Sequence, residues 1–408
     1  MIANEYKVMK DLSTVILFVC TILWIPGENV VTSFTFQNKQ TNHRSKILAS
    51  SLSLSLSTTQ LNIGLTTATT TSTTSSQSIR SKPSEAAVID YGNNISIGMY
   101  EHEGWNCSYL YTPASPGYEK EPPIVLIHPV GVGISSWFWT RVMEEYSRSS
   151  NNHPAIYAPD LIGCGLEHGA SPWKPMEKGM FFPLSWVQGI ETFLQTVVLP
   201  KRNMKKPSWS SFLNYSSGSS SRGCTIVVQG GLAPVGVQLA ARNTKDVISN
   251  LVLTSPPIYK DMITKVPQNE LEWNYNWLRN PIIGKFAFSI LESQPIIQFF
   301  SDLFLFQNKC DDDWLAFVKN GCMDKQSRTP IEAFNAGLLQ HRSYEEELTQ
   351  LIEQPTIIVQ GESDKRQEDR ISYKQFMKQC ELKTLTNACN VVPWENPEEI
   401  VQLLQSLQ

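Results

Sequence analysis

The sequence predicts an α/β fold, a doubly wound and mostly parallel sheet with a helical cap inserted late in the chain. Three observations predict it. Residues 124–127 (IVLI), 225–228 (TIVV) and 356–359 (TIIV) are continuous apolar runs without polar alternation, the pattern of strands buried on both faces. Stretches of helical spacing lie between them, and parallel strands need such crossovers. From Pro256 to about Gln354 no alternating strand occurs, and apolar residues recur at helical spacing in 280–306, 314–319 and 329–340. That stretch, about 257–354, is the expected cap.

The other elements follow in order. Residues 95–99 and 107–111 flank a polar turn and read as a hairpin. The strand at 124–127 runs into His128, Pro129, Val130, Gly131, Val132 and Gly133, a glycine-spaced loop before a helical stretch at 135–146. Residues 155–158 form the next strand, and Asp160, Gly163 and Gly165 follow in a loop of permissive residues. An amphipathic helix at 183–199 is opened by Pro183 and closed by Pro200. Residues 201–223, basic and then serine-rich, lack periodicity and read as a flexible insertion. Strand, tight turn and helix succeed one another over 225–241 (TIVVQGGLAPVGVQLAA), with Gln229, Gly230 and Gly231 at the turn. Residues 248–254 and 383–386 complete the strands, and 397–407 form a last helix.

Composition bounds the function. The chain has 408 residues and a net charge of −4, with no basic stripe, so no nucleic-acid partner is expected. Eight scattered cysteines show no zinc spacing and read as free buried thiols, so no metal site is expected. QGGLAP lacks the Lys-Ser/Thr pair of a nucleotide loop, and no cofactor is expected.

The first ninety residues read as an address. Residues 12–25 (LSTVILFVCTILWI) are an apolar run behind Lys7 and Lys10, with the length and flank of a signal-peptide core. Residues 29–84 contain no Asp or Glu and are rich in Ser and Thr, a composition that cannot form a core. The signal-like segment at 1–33, the Ser33–Phe34 junction and the transit-like segment at 34–90, acid-free as far as Ser84, resemble the bipartite plastid leader of diatoms and related algae. A plastid protein is therefore expected, soluble once mature, with secretion or an N-terminal anchor as alternatives.

Five marks in order, LIHPVG at 126–131, PDLIGCG at 159–165, the turn at 225–241, GESD at 361–364 and ENPEE at 395–399, resemble the α/β-hydrolase superfamily in its capped, one-domain form over residues 91–408. The chain is similar to plastid and cyanobacterial members whose loop reads HPVGVG and whose elbow reads QGG. The resemblance implies a nucleophile at the elbow apex, an acid after a late strand, and a histidine before the last helix. The matching positions are Gly231, Asp364 and Asn390. Glycine offers no nucleophile, and asparagine takes no proton at neutral pH. Only the acid survives.

The oxyanion apparatus implied by the resemblance is backbone, so Val130 and Leu232 could still present N–H groups beside Gly131, Gly230 and Gly231. His128 stands in that loop, either as a structural histidine or as a displaced base. Cys164 reads as a buried thiol or, less simply, a displaced nucleophile. Trp137, Trp139, Trp273, Trp277 and Trp314 either seal cap to sheet or line a pocket for a small apolar ligand. The expected function is a non-hydrolytic binder of such a ligand or of a protein partner. An enzyme working without the triad is the alternative, and a closed cap without a cavity but with an apolar outer patch would point to a scaffold or assembly protein.

Overall fold

The computed structural model describes residues 91, 94–149, 152–174, 184–199, 223–264, 267–336 and 346–408. The leader at 1–33 and 34–90, the insertion at 201–222 and residues 337–340 of the predicted cap helix lie outside the described residues.

Among the described residues eight strands form one sheet in the order β1-β2-β4-β3-β5-β6-β7-β8. They are β1 (Ser96–His102), β2 (Trp105–Thr112), β3 (Ile124–Ile127), β4 (Ile156–Pro159), β5 (Cys224–Gln229), β6 (Ile248–Thr254), β7 (Thr356–Gly361) and β8 (Cys380–Leu385). The β1–β2 hairpin joins the sheet antiparallel to β4, and every later pairing is parallel. β3 and β5 are buried along their whole length, as their unbroken apolar sequences require. The last strand starts three residues before the expected position, because Cys380 pairs with Thr356 at the sheet edge.

Every described regular element between β6 and β7 is helical, and three of these helices, Tyr259–Ile263, Gln268–Leu278 and Glu346–Leu351, lie outside the three periodic runs. Tyr259–Ile263 and Gln268–Leu278 precede the Ile283–Leu291 and Gln294–Phe300 helices, and Asp312–Gly321 and Arg328–Ala336 follow. Pro267 and Pro281 bracket the Gln268–Leu278 helix, whose polar residues hid its period.

The tryptophans divide differently from the pocket expectation. Trp137 is fully buried, stacked on Phe317 at 5.0 Å and edge-on to Trp314 at 5.3 Å and Trp394 at 5.4 Å. Trp139 is fully buried and meets Phe138 edge-on. Both belong to the core between the sheet, the Asp312–Gly321 helix and the C-terminal turn, so neither lines a ligand pocket. Trp273 is 51% exposed and stacks on Trp277 at 6.3 Å, on the outside of the cap. An apolar flat ring prefers burial against other rings, and the core rather than a cavity supplied them.

Candidate functional site

The turn after β5 sits at the carboxyl edge of the sheet, where doubly wound folds place their sites. β5 ends at Gln229, a short turn covers Gly230–Leu232, and the Ala233–Arg242 helix follows. Gly230 carries the left-handed backbone, φ +63°, while Gly231 does not. In an elbow the nucleophile occupies that strained position. The apex is therefore Gly230, one residue before Gly231, which corrects the register expected from sequence. The donor after the apex is then the Gly231 N–H in place of that of Leu232.

The two glycines face different surroundings. A Cβ on Gly230 would meet nothing closer than Pro129 at 4.0 Å, so the apex looks onto open space beside the 128–133 loop. A Cβ on Gly231 would come within 2.9 Å of the Phe334 ring, on the Arg328–Ala336 cap helix. Gly230→Ser should therefore fold, at a cost of about 1–3 kcal/mol for the left-handed backbone alone. Chemical denaturation checks this, and a larger loss would mean that the apex is not open.

The acid and histidine positions do meet. Asn390 Nδ2 donates to Asp364 Oδ2 at 3.3 Å, so the loop before the last helix reaches the acid after β7. Two residues that the sequence reading missed then lock this pair. Arg370 is 2% exposed, and its Nη1 lies 2.8 Å from Asp364 Oδ2, an ion pair not aligned as a hydrogen bond. Its Nε donates to the Pro256 carbonyl at 2.6 Å, and the Arg366 N–H donates to Asp364 Oδ1 at 3.0 Å. Gln229, next to the apex, donates from Nε2 to the Asn390 carbonyl at 2.9 Å and accepts from Thr254 Oγ1 at 2.6 Å. Asn390 and Val391 also donate their N–H groups to the Leu305 carbonyl of the cap segment. Asp364 thus closes a charge pair and orients no base. The basic run KRQEDR after GESD was the one available signal, and it offers three candidate cations without a period.

His128 is fully buried and does not line the cavity. Its Nδ1 donates to the Pro129 carbonyl at 2.8 Å, and its Nε2 accepts the Leu161 N–H at 3.1 Å. Both nitrogens are used, and burial holds its pKa below the ordinary value against the Asp160 charge. It is a loop strut, and its candidacy as a base fails. Cys164 is buried too, and burial, followed by the Asp160, Glu167 and Cys107 charges, drives its thiol pKa well up. A thiol so held is no nucleophile.

Asp160 organises the loops on this side. It is fully buried, and accepts from Ser108 Oγ at 2.6 Å, from the Ser136 N–H at 2.6 Å and from His168 Nδ1 at 3.0 Å. His168 Nε2 lies 2.5 Å from the Tyr91 hydroxyl, and Ser135 donates to Glu167 in a short hydrogen bond. Between these loops and the cap is a narrow cavity lined by Val130, Gly131, Ile134, Cys164, Glu167 and Ile331 among others. Its volume is about 10 Å³, room for about one water and far below the several hundred Å³ of a ligand pocket. Val130 and Gly131 thus border a cavity, but a very small one that Gly230, Gly231 and Leu232 do not line. Among the described residues no group of three His, Cys, Asp or Glu side chains could hold a metal ion.

Solved structures share this arrangement of sheet and late helical insertion. The haloalkane dehalogenase DatA from Agrobacterium tumefaciens C58 is 17% identical, with a TM-score of 0.52 over 78% of this chain and 97% of its own. Cfl2 from Burkholderia cenocepacia is 14% identical, with a TM-score of 0.55 over 77% and 95%. A thioesterase domain from the curacin biosynthetic pathway is 16% identical, with a TM-score of 0.51 over 77% of this chain and all of its own. The fold is that of the α/β-hydrolases. No protein-family model matches the chain, and no curated protein matches it. At these identities the likeness extends to the α/β-hydrolase scaffold alone, and the chemistry must be argued from the residues in it.

Proposed function

We propose that this chain is a non-hydrolytic protein of α/β-hydrolase fold that works by binding. The observation that carries the reading is the elbow apex, Gly230, taken with an acid that is committed to Arg370. Covalent catalysis needs a nucleophile whose proton a base removes. Here neither glycine of the turn has a side chain, Asn390 stands where the base would, and His128 has no free lone pair. The non-covalent enzyme reading loses its base with His128.

Of the two binding modes, the small size of the cavity favours the outer surface. Phe334 of the cap helix packs over Gly231, the cavity beside Pro330 and Ile331 is about 10 Å³, and among the described residues seven large apolar side chains of the 257–354 stretch are exposed, Trp273, Ile282, Ile283 and Phe286 among them. A small apolar ligand would require that helix to move. The acid-free leader supports a plastid as the place of action, with secretion or anchoring as the competing outcomes.

Incubation of the full chain with p-nitrophenyl esters and 1-halobutane, followed by intact mass and peptide mapping, tests the reading. The mass should stay unchanged. An acyl or alkyl adduct in the peptide that contains 225–241 would overturn it.

A further inference from the structure

Residues 94–96 read Asn-Ile-Ser, residues 106–108 Asn-Cys-Ser and residues 214–216 Asn-Tyr-Ser. An asparagine two residues before a serine or threonine, with no proline between, is an acceptor for N-linked oligosaccharide on a chain that enters the secretory membranes. Such a triplet also arises by chance, so its place in the fold decides what it can be. The third lies outside the described residues. The other two flank one element, the edge strand β1.

That strand is the weaker edge of the sheet. It pairs with β2, and among the described residues no strand pairs with its outer side. Ile97 and Met99, which alternation puts on one face, are 49% and 46% exposed. The strand has no lysine or proline and one carboxylate, Glu101. The opposite edge, β8, exposes Glu381, Lys383 and Thr384. Charged side chains keep an edge from pairing with another chain, and an apolar edge needs some other cover.

The two triplets differ in access. Asn94 is exposed, and so is Ser96, whose hydroxyl the transferase must read. The chain is held on both sides of Asn94. Tyr91 is buried with its hydroxyl 2.5 Å from His168 Nε2, and Ser96 pairs with Tyr111. Asn106 is exposed too, but Ser108 is fully buried and donates to Asp160 at 2.6 Å. Folding closes that triplet and leaves the first open. At about 3.4 Å per residue, Met99 is at most roughly 17 Å from Asn94, inside the reach of a branched oligosaccharide.

We propose that Asn94 is an N-glycosylation site and that its glycan covers the open edge of β1. The Asn94 amide nitrogen displaces a lipid pyrophosphate from the anomeric carbon of the activated oligosaccharide. A C–N bond forms, the C–O bond to phosphate breaks, and the amide gives up one proton. The proposal rests on the leader carrying the chain into the secretory membranes, a step common to the plastid and the secreted readings. It is independent of whether the elbow hydrolyses anything.

Translation of the full chain with rough microsomes tests it, with added protease reporting entry and an amidase that removes N-glycans reporting modification. Carried out in heavy-oxygen water, that removal turns the acceptor asparagine into a labelled aspartate, which peptide mapping should place at position 94. In an Asn106→Gln/Asn214→Gln background one glycan should remain. Asn94→Gln or Ser96→Ala should remove it, and Ser96→Thr should keep it. Purified Asn94→Gln chain should self-associate where the glycosylated chain does not, and adding Ile97→Lys and Met99→Lys should reverse that. Protease-protected chain without a label at position 94 would overturn the proposal and leave the leader reading standing. A chain that stays outside the microsomes would overturn both. A labelled Asn94 whose loss leaves the chain monodisperse would overturn the covering role.

Discussion

Arg370→Met is expected to destabilise the protein by about 3–5 kcal/mol, the usual result of stripping one partner from a buried ion pair. The guanidinium and the Asp364 carboxylate are 3% and 7% exposed, and their closest atoms are 2.8 Å apart. Removing the cation leaves the carboxylate with the Arg366 N–H and the Asn390 amide, neither of them charged as they meet it. Adding Asp364→Asn to Arg370→Met should recover most of the loss, because no uncompensated charge then stays buried. A chemical-denaturation double-mutant cycle measures the coupling. A near-neutral Arg370→Met would show that Asp364 is not held by the pair and is free to serve another residue.

Asp160→Ala should be comparably severe, at about 3–5 kcal/mol, since it leaves His168, Ser108 and the Ser136 N–H without their shared acceptor. Its effect should depend on pH in a defined way. For His168 burial opposes the charge, but the Asp160 and Glu167 carboxylates outweigh it and lift the pKa above the ordinary 6.5. Burial pushes the Asp160 carboxyl up, and His168, His128 and Ser108 more than reverse that, leaving it below 3.8. The His168 contribution is complete below pH 6.5 and fades as pH rises through the folded value. The Asp160 contribution is complete above pH 3.8 and fades as pH falls through its folded value. Glu167, raised above 4.5 by burial first, adds a second loss of stability on the alkaline side. The gap in melting temperature between wild type and His168→Gln should therefore be widest between about pH 4 and 6.5 and narrow above it. A gap independent of pH would contradict the pairing.

The sheet was legible because its central strands are unbroken β-branched runs, and the cap because its apolar spacing changes period. The elbow was legible as strand, turn and helix. Its apex was not, since Gly230 and Gly231 are the same residue in sequence and only the backbone angle distinguishes them. The Asp364–Asn390 meeting could be placed from spacing before the last helix, whereas Arg370 and Gln229 reach the site through contacts that leave no pattern. The sealing role expected of Trp137 and Trp314 is borne out, but the partners that make the seal were not legible. Trp137 and Trp139 begin a helix beside the loop, and nothing local shows that Trp314 and Trp394 will meet Trp137 on the far side of the sheet from the elbow helix.

The proposed absence of hydrolytic chemistry at the elbow is tested most directly by steady-state turnover of p-nitrophenyl butyrate. The wild-type chain and an Asp364→Asn variant should both run at the rate of buffer. Saturable turnover by the wild type that Asp364→Asn abolishes would contradict the account.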